Sequence, residues 1–98
     1  MANTFLMFGR YSSNALKTAS ATRTRKAEHI VGRFRGQIKG MYAMLGGNDL
    51  LMIVDLPGIE EAIKVSTGLT KLTGITFTTF PAISVTEFDR LMQEVANI

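Results

Sequence analysis

The sequence predicts an α+β fold of the ferredoxin-like type, a four-stranded antiparallel sheet built in the order β-α-β-β-α-β and followed by a closing helix. Three observations support this prediction. Four short apolar runs bounded by turn residues are typical of strands, and two segments between them repeat apolar residues at helical spacing. A glycine-rich turn joins the two middle runs. The 98 residues fit one domain that spans the whole chain, 1–98.

The strand assignment depends on apolar runs and on the residues that interrupt them. The turn Gly46-Gly47-Asn48 supplies the positive φ angles that a tight hairpin needs. Pro81 is expected to end the last strand, because proline has no backbone N–H for a sheet ladder. The predicted strands cover residues 4–10, 37–45, 49–56 and 75–80.

The two main helices are predicted from apolar stripes and from the residues that cap them. The first covers about 22–35, with Thr22 as N-cap and Gly36 as a left-handed residue after its end. The second covers about 59–72 and is followed by Gly74 in the same role. A short helical turn is expected over 15–20.

The closing helix is predicted over about 85–96. Ser84 and Glu87 have the spacing of a capping box. An apolar stripe of Phe88, Leu91, Met92 and Val95 follows. We expect this helix to pack at an edge of the domain or on a neighbouring molecule.

One face of the predicted sheet lacks a helix. Right-handed crossovers place both main helices on the same face. Side chains alternate along strands, so Leu6 and Phe8 point away from the helices, as do Leu51 and Ile53. An apolar face of this size needs a cover. A second copy is the simplest one, which predicts a homo-oligomer, a dimeric α+β barrel or a multiple of dimers. The alternative is that the closing helix folds back over this face.

Composition excludes several classes of protein. Residues 1–48 carry a formal charge of +7 and residues 49–98 one of −4, which we interpret mainly as a basic helix beside an acidic one. Nucleic acid is not the expected partner, since the basic residues lack the aromatic platform that single-strand binding requires and no recognition-helix signature is present. The absence of cysteine excludes disulfides and thiolate metal sites. With no signal-peptide pattern and no membrane-length apolar run, the expectation is a cytoplasmic protein without a membrane segment.

Three residues are candidates for catalysis, and the first two also for ligand binding. His29, the one histidine, is too few for a multi-histidine metal site but suits a general base. Tyr42 shares its strand parity with Ile38, and is either a core aromatic or a polar group in an apolar pocket. Asp49 either caps the amides of Gly47 or Asn48, or lines the mouth of a barrel. No residues point to a metal site, and no particular cofactor is indicated.

The order of short motifs resembles the GYD-domain family over nearly the whole chain. The resemblance is carried by the hairpin stretch 39–50, by Phe8 and Tyr11, by 71–75, and by 80–83 with 87–89. Gly46 and Asp49 match the first and last residues of the motif that names the family, whereas Asn48 stands at the tyrosine position. The resemblance implies a ferredoxin-like domain related in shape to dimeric α+β barrels and brings no activity with it.

Three functions are therefore compatible with the sequence. The first is a homo-oligomeric binding or structural module that holds a small apolar or aromatic ligand between sheet and helices, in an interior lined by methionines. The second is a cofactor-poor oxygenase or isomerase, which requires His29, Tyr42 and Asp49 to converge on one cavity. The third is a regulatory domain that binds a partner through its basic first helix.

Overall fold

The computed structural model describes residues 3–98 and has the predicted α+β architecture. Its elements are β1 (Asn3–Arg10), α1 (Ser13–Lys17), α2 (Ala21–Arg33), β2 (Gln37–Ala43), β3 (Leu50–Leu56), α3 (Ile59–Thr73), β4 (Thr76–Ala82) and α4 (Val85–Glu94). The strands form one sheet in the order β2-β3-β1-β4. Each neighbouring pair is antiparallel.

The core lies between the sheet and the helices α2 and α3. Strict alternation in β1 and β3 sends every second side chain into it, so that Met7 pairs with Met52 and Phe5 with Val54. The helices complete the core with five buried side chains at helical spacing, Ala27, Val31, Ala62, Val65 and Leu69. The central strands β1 and β3 therefore have one fully buried face and one face without a helix.

The helix ends follow the expected chemistry with two corrections. Ser20, and not Thr22, is the N-cap of α2, and its hydroxyl accepts a hydrogen bond from the Arg23 amide. The left-handed residue after α2 is Arg35 (φ 63°), and not Gly36. A Cβ on Gly36 would lie 2.4 Å from Leu56 Cδ2, so this glycine is required by close packing. Gly74 has the expected left-handed conformation (φ 76°) after α3.

The edge strands differ most from the prediction. The register of β2 against β3 shifts between Ile38 and Gly40, which is the signature of a β-bulge. Because of this shift, Ile38 packs against the core while Tyr42 lies on the face without helices. In β4, Pro81 is paired with Phe5 inside the strand and does not end it, since an edge strand tolerates proline.

The closing helix α4 does not fold back over the sheet. None of its residues is buried, and the described residues extend 53 Å along the long axis of the molecule against 18 Å along the short one. Ser84 is its N-cap, as predicted, and accepts a hydrogen bond from the Glu87 amide at 3.1 Å. Over residues 3–98, no helix has both the length and the apolar character that crossing a membrane requires.

Candidate binding surfaces

The face of the sheet without helices presents a continuous apolar surface, which we call the open face. Its centre is formed by paired residues of β1 and β3, Leu6 opposite Ile53 and Phe8 opposite Leu51, all partly buried. Phe80 of β4 lies beside them, half exposed, and its ring meets that of Phe8 edge to face at 5.9 Å between centroids. Aromatic and aliphatic side chains without charge are typical of the centre of a protein interface.

Polar groups lie at one end of the open face. The Asp55 carboxylate accepts a hydrogen bond from the Thr4 hydroxyl at 2.9 Å and forms an ion pair with Lys39 at 3.9 Å. Thr4 and Asp55 are opposite each other in the ladder, and Lys39 is the extra residue of the bulge. An apolar centre with a polar, charged end is the usual layout of an interface core and its rim.

Tyr42 lies on the open face near the β2 edge, opposite Leu51. Its side chain is 58% exposed, so it is not a core aromatic of the isolated subunit. A Cβ on Gly40 would lie 3.1 Å from the Tyr42 ring, which shows that the ring occupies the space over this glycine. The bulge and Gly40 together thus place the Tyr42 hydroxyl beside an apolar surface.

Asp49 joins the loop after β1 to the β2–β3 hairpin. Its carboxylate accepts a hydrogen bond from the Tyr11 amide at 2.8 Å, and its own amide donates to the Gly9 carbonyl at 2.8 Å. One of its two expected roles was to cap Gly47 or Asn48, and the other was to line the mouth of a barrel. The amide that it caps is instead that of Tyr11, 38 positions away in sequence. These two hydrogen bonds hold the loop after β1 against the hairpin at the end of the sheet.

His29 lies apart from the other two candidates. It is exposed on α2, beside Lys26 and Leu72 on the outer side of the helices. Tyr42 lies on the far side of the sheet, and Asp49 is engaged at the end of the hairpin. One subunit therefore does not bring His29, Tyr42 and Asp49 to a common substrate, which acid–base catalysis would require.

The layer between sheet and helices has little free space. It contains a cavity of about 50 Å³ lined by Tyr11, Arg23, Met41 and Phe77, among others. Arg23 lies over the Tyr11 ring at 5.6 Å and donates hydrogen bonds to the Ala15 carbonyl and the Thr18 hydroxyl. Small-molecule sites usually have several hundred Å³, so this cavity does not hold an aromatic ligand without rearrangement.

Nowhere between residues 3 and 98 do three or more histidine, aspartate or glutamate side chains cluster closely enough to hold an ion. The buried polar side-chain atoms in the same part of the chain all have hydrogen-bond partners.

Sequence reasoning placed the centre of the open face correctly and missed its polar end. The position of Asp55 shortly before Pro57 favours a turn former or cap, but its carboxylate pairs with Lys39 of the neighbouring strand. The signal was weak, because the pairing depends on the bulge, and a bulge leaves no clear pattern in a single sequence. Nothing in the sequence indicates that Gly40 makes room for the Tyr42 ring.

The fold and this surface define an α+β domain with a ferredoxin-like sheet that is open on one side. A family model described as the GYD domain matches residues 5–92. The chain belongs to the GYD-domain family, as its motifs indicated.

Comparison with solved structures finds the same fold elsewhere. The crystal structure of an AsnC family transcriptional regulator from Agrobacterium tumefaciens superposes with a TM-score of 0.57 at 19% sequence identity. The match covers 85% of this chain and 51% of the regulator, so this chain corresponds to about half of that protein. A search of curated proteins found no match. At this identity the likeness shows the fold alone.

Proposed function

We propose that the chain works as a homo-oligomeric module in which two copies pair through their open faces. The observation that carries the proposal is the apolar centre of that face, Leu6, Phe8, Leu51 and Ile53, which no helix of the same chain covers. A two-fold axis brings the same patch of both copies together, so one sequence provides both halves of the interface. Sheets packed in this way lie about 10 Å apart.

The test is the oligomeric state of a variant with a charge at the centre of the face. Ile53→Lys places an ammonium group where two sheets would meet, and we expect sedimentation velocity to show a monomer that remains folded. Ile53 is outside the buried core, so the fold should survive the change. Leu45→Lys is the matched control, because Leu45 is 99% exposed in the hairpin. A wild-type chain that stays monomeric at about 100 μM, well above an ordinary dimer Kd of about 1 μM, would refute the pairing.

The proposal also includes a small apolar or aromatic ligand at the open face, beside Tyr42. The tyrosine hydroxyl would fix the orientation of a molecule that otherwise makes apolar contacts, a common composition for such sites. This position is favoured over the layer between sheet and helices, where the cavity is about 50 Å³.

Native mass spectrometry after gentle purification tests the ligand. We expect an additional mass on the wild-type oligomer that is weakened in Tyr42→Phe and lost in Tyr42→Ala. His29→Ala is the control, since His29 lies on the opposite side of the molecule. If the bound ligand is lost from the His29→Ala variant but is still present on the Tyr42→Ala variant, the ligand lies on the helical side. That result would reject the site proposed here.

A regulatory role through α2 is the second candidate, favoured by one observation. The exposed outer side of α2 carries Arg25, Lys26 and Arg33. Fold likeness to part of a transcriptional regulator agrees with such a role only by analogy. Binding of a polyanion such as heparin that weakens steeply between 50 and 200 mM salt, about the range in which phosphate contacts are screened, would support it. Polyanion binding that does not change with salt concentration would rule out this regulatory role.

A further inference from the structure

The helix α4 has an apolar stripe that the rest of its own chain leaves uncovered. Val85, Phe88, Met92 and Val95 follow the spacing of 3, 4 and 3 residues that lines one side of a helix, and each is at least 41% exposed. The charged residues Arg90, Glu87 and Glu94 pair with one another on the opposite side. A helix of ten residues is not stable in water by itself, so this stripe needs a surface to pack on.

The domain also has an apolar groove without an occupant, which we call the α3–β4 groove. It has a volume of about 310 Å³ and lies between Ile59 and Ile63 on α3 and Phe77, Thr79 and Pro81 on β4. Ile59 is 68% exposed and Ile63 60% exposed, which is unusual for isoleucine. None of the residues that line this groove is charged.

The apolar stripe of α4 and the α3–β4 groove match in length and in chemistry. The groove follows β4 from Pro81 to Phe77, about 13 Å at the rise of a strand. The stripe from Val85 to Val95 covers about 15 Å at the rise of a helix. Two other open depressions on the helical side include charged residues, Arg25 and Lys26 beside Ile30 and Leu72 in one, and Arg23, Lys26 and Lys71 in the other. The α3–β4 groove has no charged residue in its lining and therefore suits an apolar stripe better.

We propose that α4 of each copy packs into the α3–β4 groove of a second copy. The inference rests on the proposed pairing of open faces, which brings the second copy alongside. Every chain has both α4 and the α3–β4 groove. A two-fold axis therefore produces two equivalent contacts in each dimer. Only Ile83 and Ser84 separate β4 from α4, and α4 leads away from its own domain, as the 53 Å length of the molecule reflects. The β4 edge, with Phe80 on its open side and the groove on its other side, connects the two contact surfaces.

The absence of cysteine makes the contact testable by disulfide trapping. Two chains of different mass are prepared, one with Met92→Cys on α4 and one with Ile63→Cys in the groove, and are mixed and oxidised. We expect a disulfide-linked dimer of the two chains on a non-reducing gel. The pair Met92→Cys with Leu45→Cys is the control, because Leu45 lies in the hairpin turn, outside the groove, and should remain unlinked.

A chain that carries both cysteines shows whether α4 instead occupies the groove of its own chain. If Met92→Cys and Ile63→Cys in the same chain form a disulfide and the oxidised chain still migrates as a monomer on a denaturing non-reducing gel, α4 covers its own groove and the proposal is wrong. If the wild type is a dimer but neither trap closes, the exchange of α4 is refuted while the pairing of open faces stands. A wild-type monomer refutes both.

Association provides an independent readout. Phe88→Glu with Met92→Glu introduces two charges into the stripe, and we expect the dimer Kd to rise at least tenfold. These residues contribute nothing to the buried core, so the circular dichroism of the domain should persist. An unchanged Kd would contradict the proposal even if the disulfide forms.

Discussion

The two faces of the central strands show how the same kind of residue can have two different roles. On the helical face, Met7 and Met52 are completely removed from solvent and belong to the core. On the open face, their immediate neighbours Phe8 and Leu51 are as apolar but remain partly exposed. Hydrophobicity alone therefore does not distinguish a residue that stabilises the subunit from one that, in our proposal, stabilises the assembly.

The difference lies in what unfolding and dissociation each expose. Truncating a helical-face residue leaves a cavity in the subunit and lowers the free energy of unfolding by the same amount at any protein concentration. Truncating an open-face residue should mainly change the association equilibrium, whose effect on stability depends on concentration. The following predictions separate the two faces, beginning with the largest expected effect.

Met52→Ala should lower the free energy of unfolding by about 2–5 kcal/mol, since it removes a fully buried side chain and leaves a cavity. Urea denaturation at two protein concentrations measures it. The loss should be the same at both concentrations. A loss below about 1 kcal/mol would mean that the helical face is not the packed core described here.

Asp49→Ala should cost about 1–3 kcal/mol of unfolding free energy, because the Tyr11 amide loses its acceptor. Asp49→Asn keeps an acceptor oxygen and should cost less. Since this contact lies at the end of the sheet, the dimer Kd should change little in either variant. Thermal unfolding and sedimentation equilibrium of the same samples check both statements. An Asn variant as unstable as the Ala variant would contradict the hydrogen-bond explanation.

Leu51→Ala should weaken association about tenfold, which corresponds to about 1.4 kcal/mol, and should affect the isolated subunit less than Met52→Ala does. Sedimentation equilibrium gives the Kd. Thr78→Ala on the exposed edge strand of the same face is the control and should leave the Kd nearly unchanged. Equal effects of Leu51→Ala and Thr78→Ala on association would remove the distinction between the centre of the face and its margin.

Acid should weaken the ion pair between Glu87 and Arg90 that stabilises α4. The hydrogen bond from Arg90 holds the pKa of Glu87 below its ordinary value. A lowered pKa means that the ion pair stabilises α4 fully above the ordinary glutamate pKa of about 4.3 and is lost as pH falls through the lowered value. Backbone amide shifts of residues 85–94 in an NMR titration follow this change. Arg90→Gln should move the midpoint of this titration up toward the ordinary glutamate pKa, and an unchanged midpoint in that variant would contradict the assignment.

Much of this fold could be predicted because alternation and turn chemistry are local signals. The residues on both faces of β1 and β3 followed from period-two alternation, and Gly74 from its position after an apolar helix. The bulge after Ile38 could not be predicted, since it depends on how β2 fits against β3. The same holds for Gly36, whose importance comes from contact with Leu56 and not from its own φ angle.

The candidate site was less predictable than the fold. Sequence spacing gave the strand position of Tyr42, but the bulge decided which face it occupies. The oxygenase or isomerase hypothesis requires His29 to share a cavity with Tyr42. The apolar stripe of a helix does not indicate how that helix lies relative to a strand, so the sequence could not test this requirement. The α3–β4 groove depends on how far α3 covers the edge strand, which is a tertiary property. The stripe on α4, in contrast, was visible in the sequence.

The two edges of the sheet limit the size that an assembly of this chain can reach. Exposed strand edges can recruit further strands and polymerise without end. Here β2 carries Lys39 in a bulge, and β4 carries Pro81, which offers no N–H to an incoming strand. Both edges are therefore poor templates for fibre growth. In our proposal, copies meet instead through faces and grooves, and a two-fold axis closes the assembly. A chain with such a sheet should therefore resist forming amyloid-like filaments at high concentration, even though one face of the sheet is very apolar.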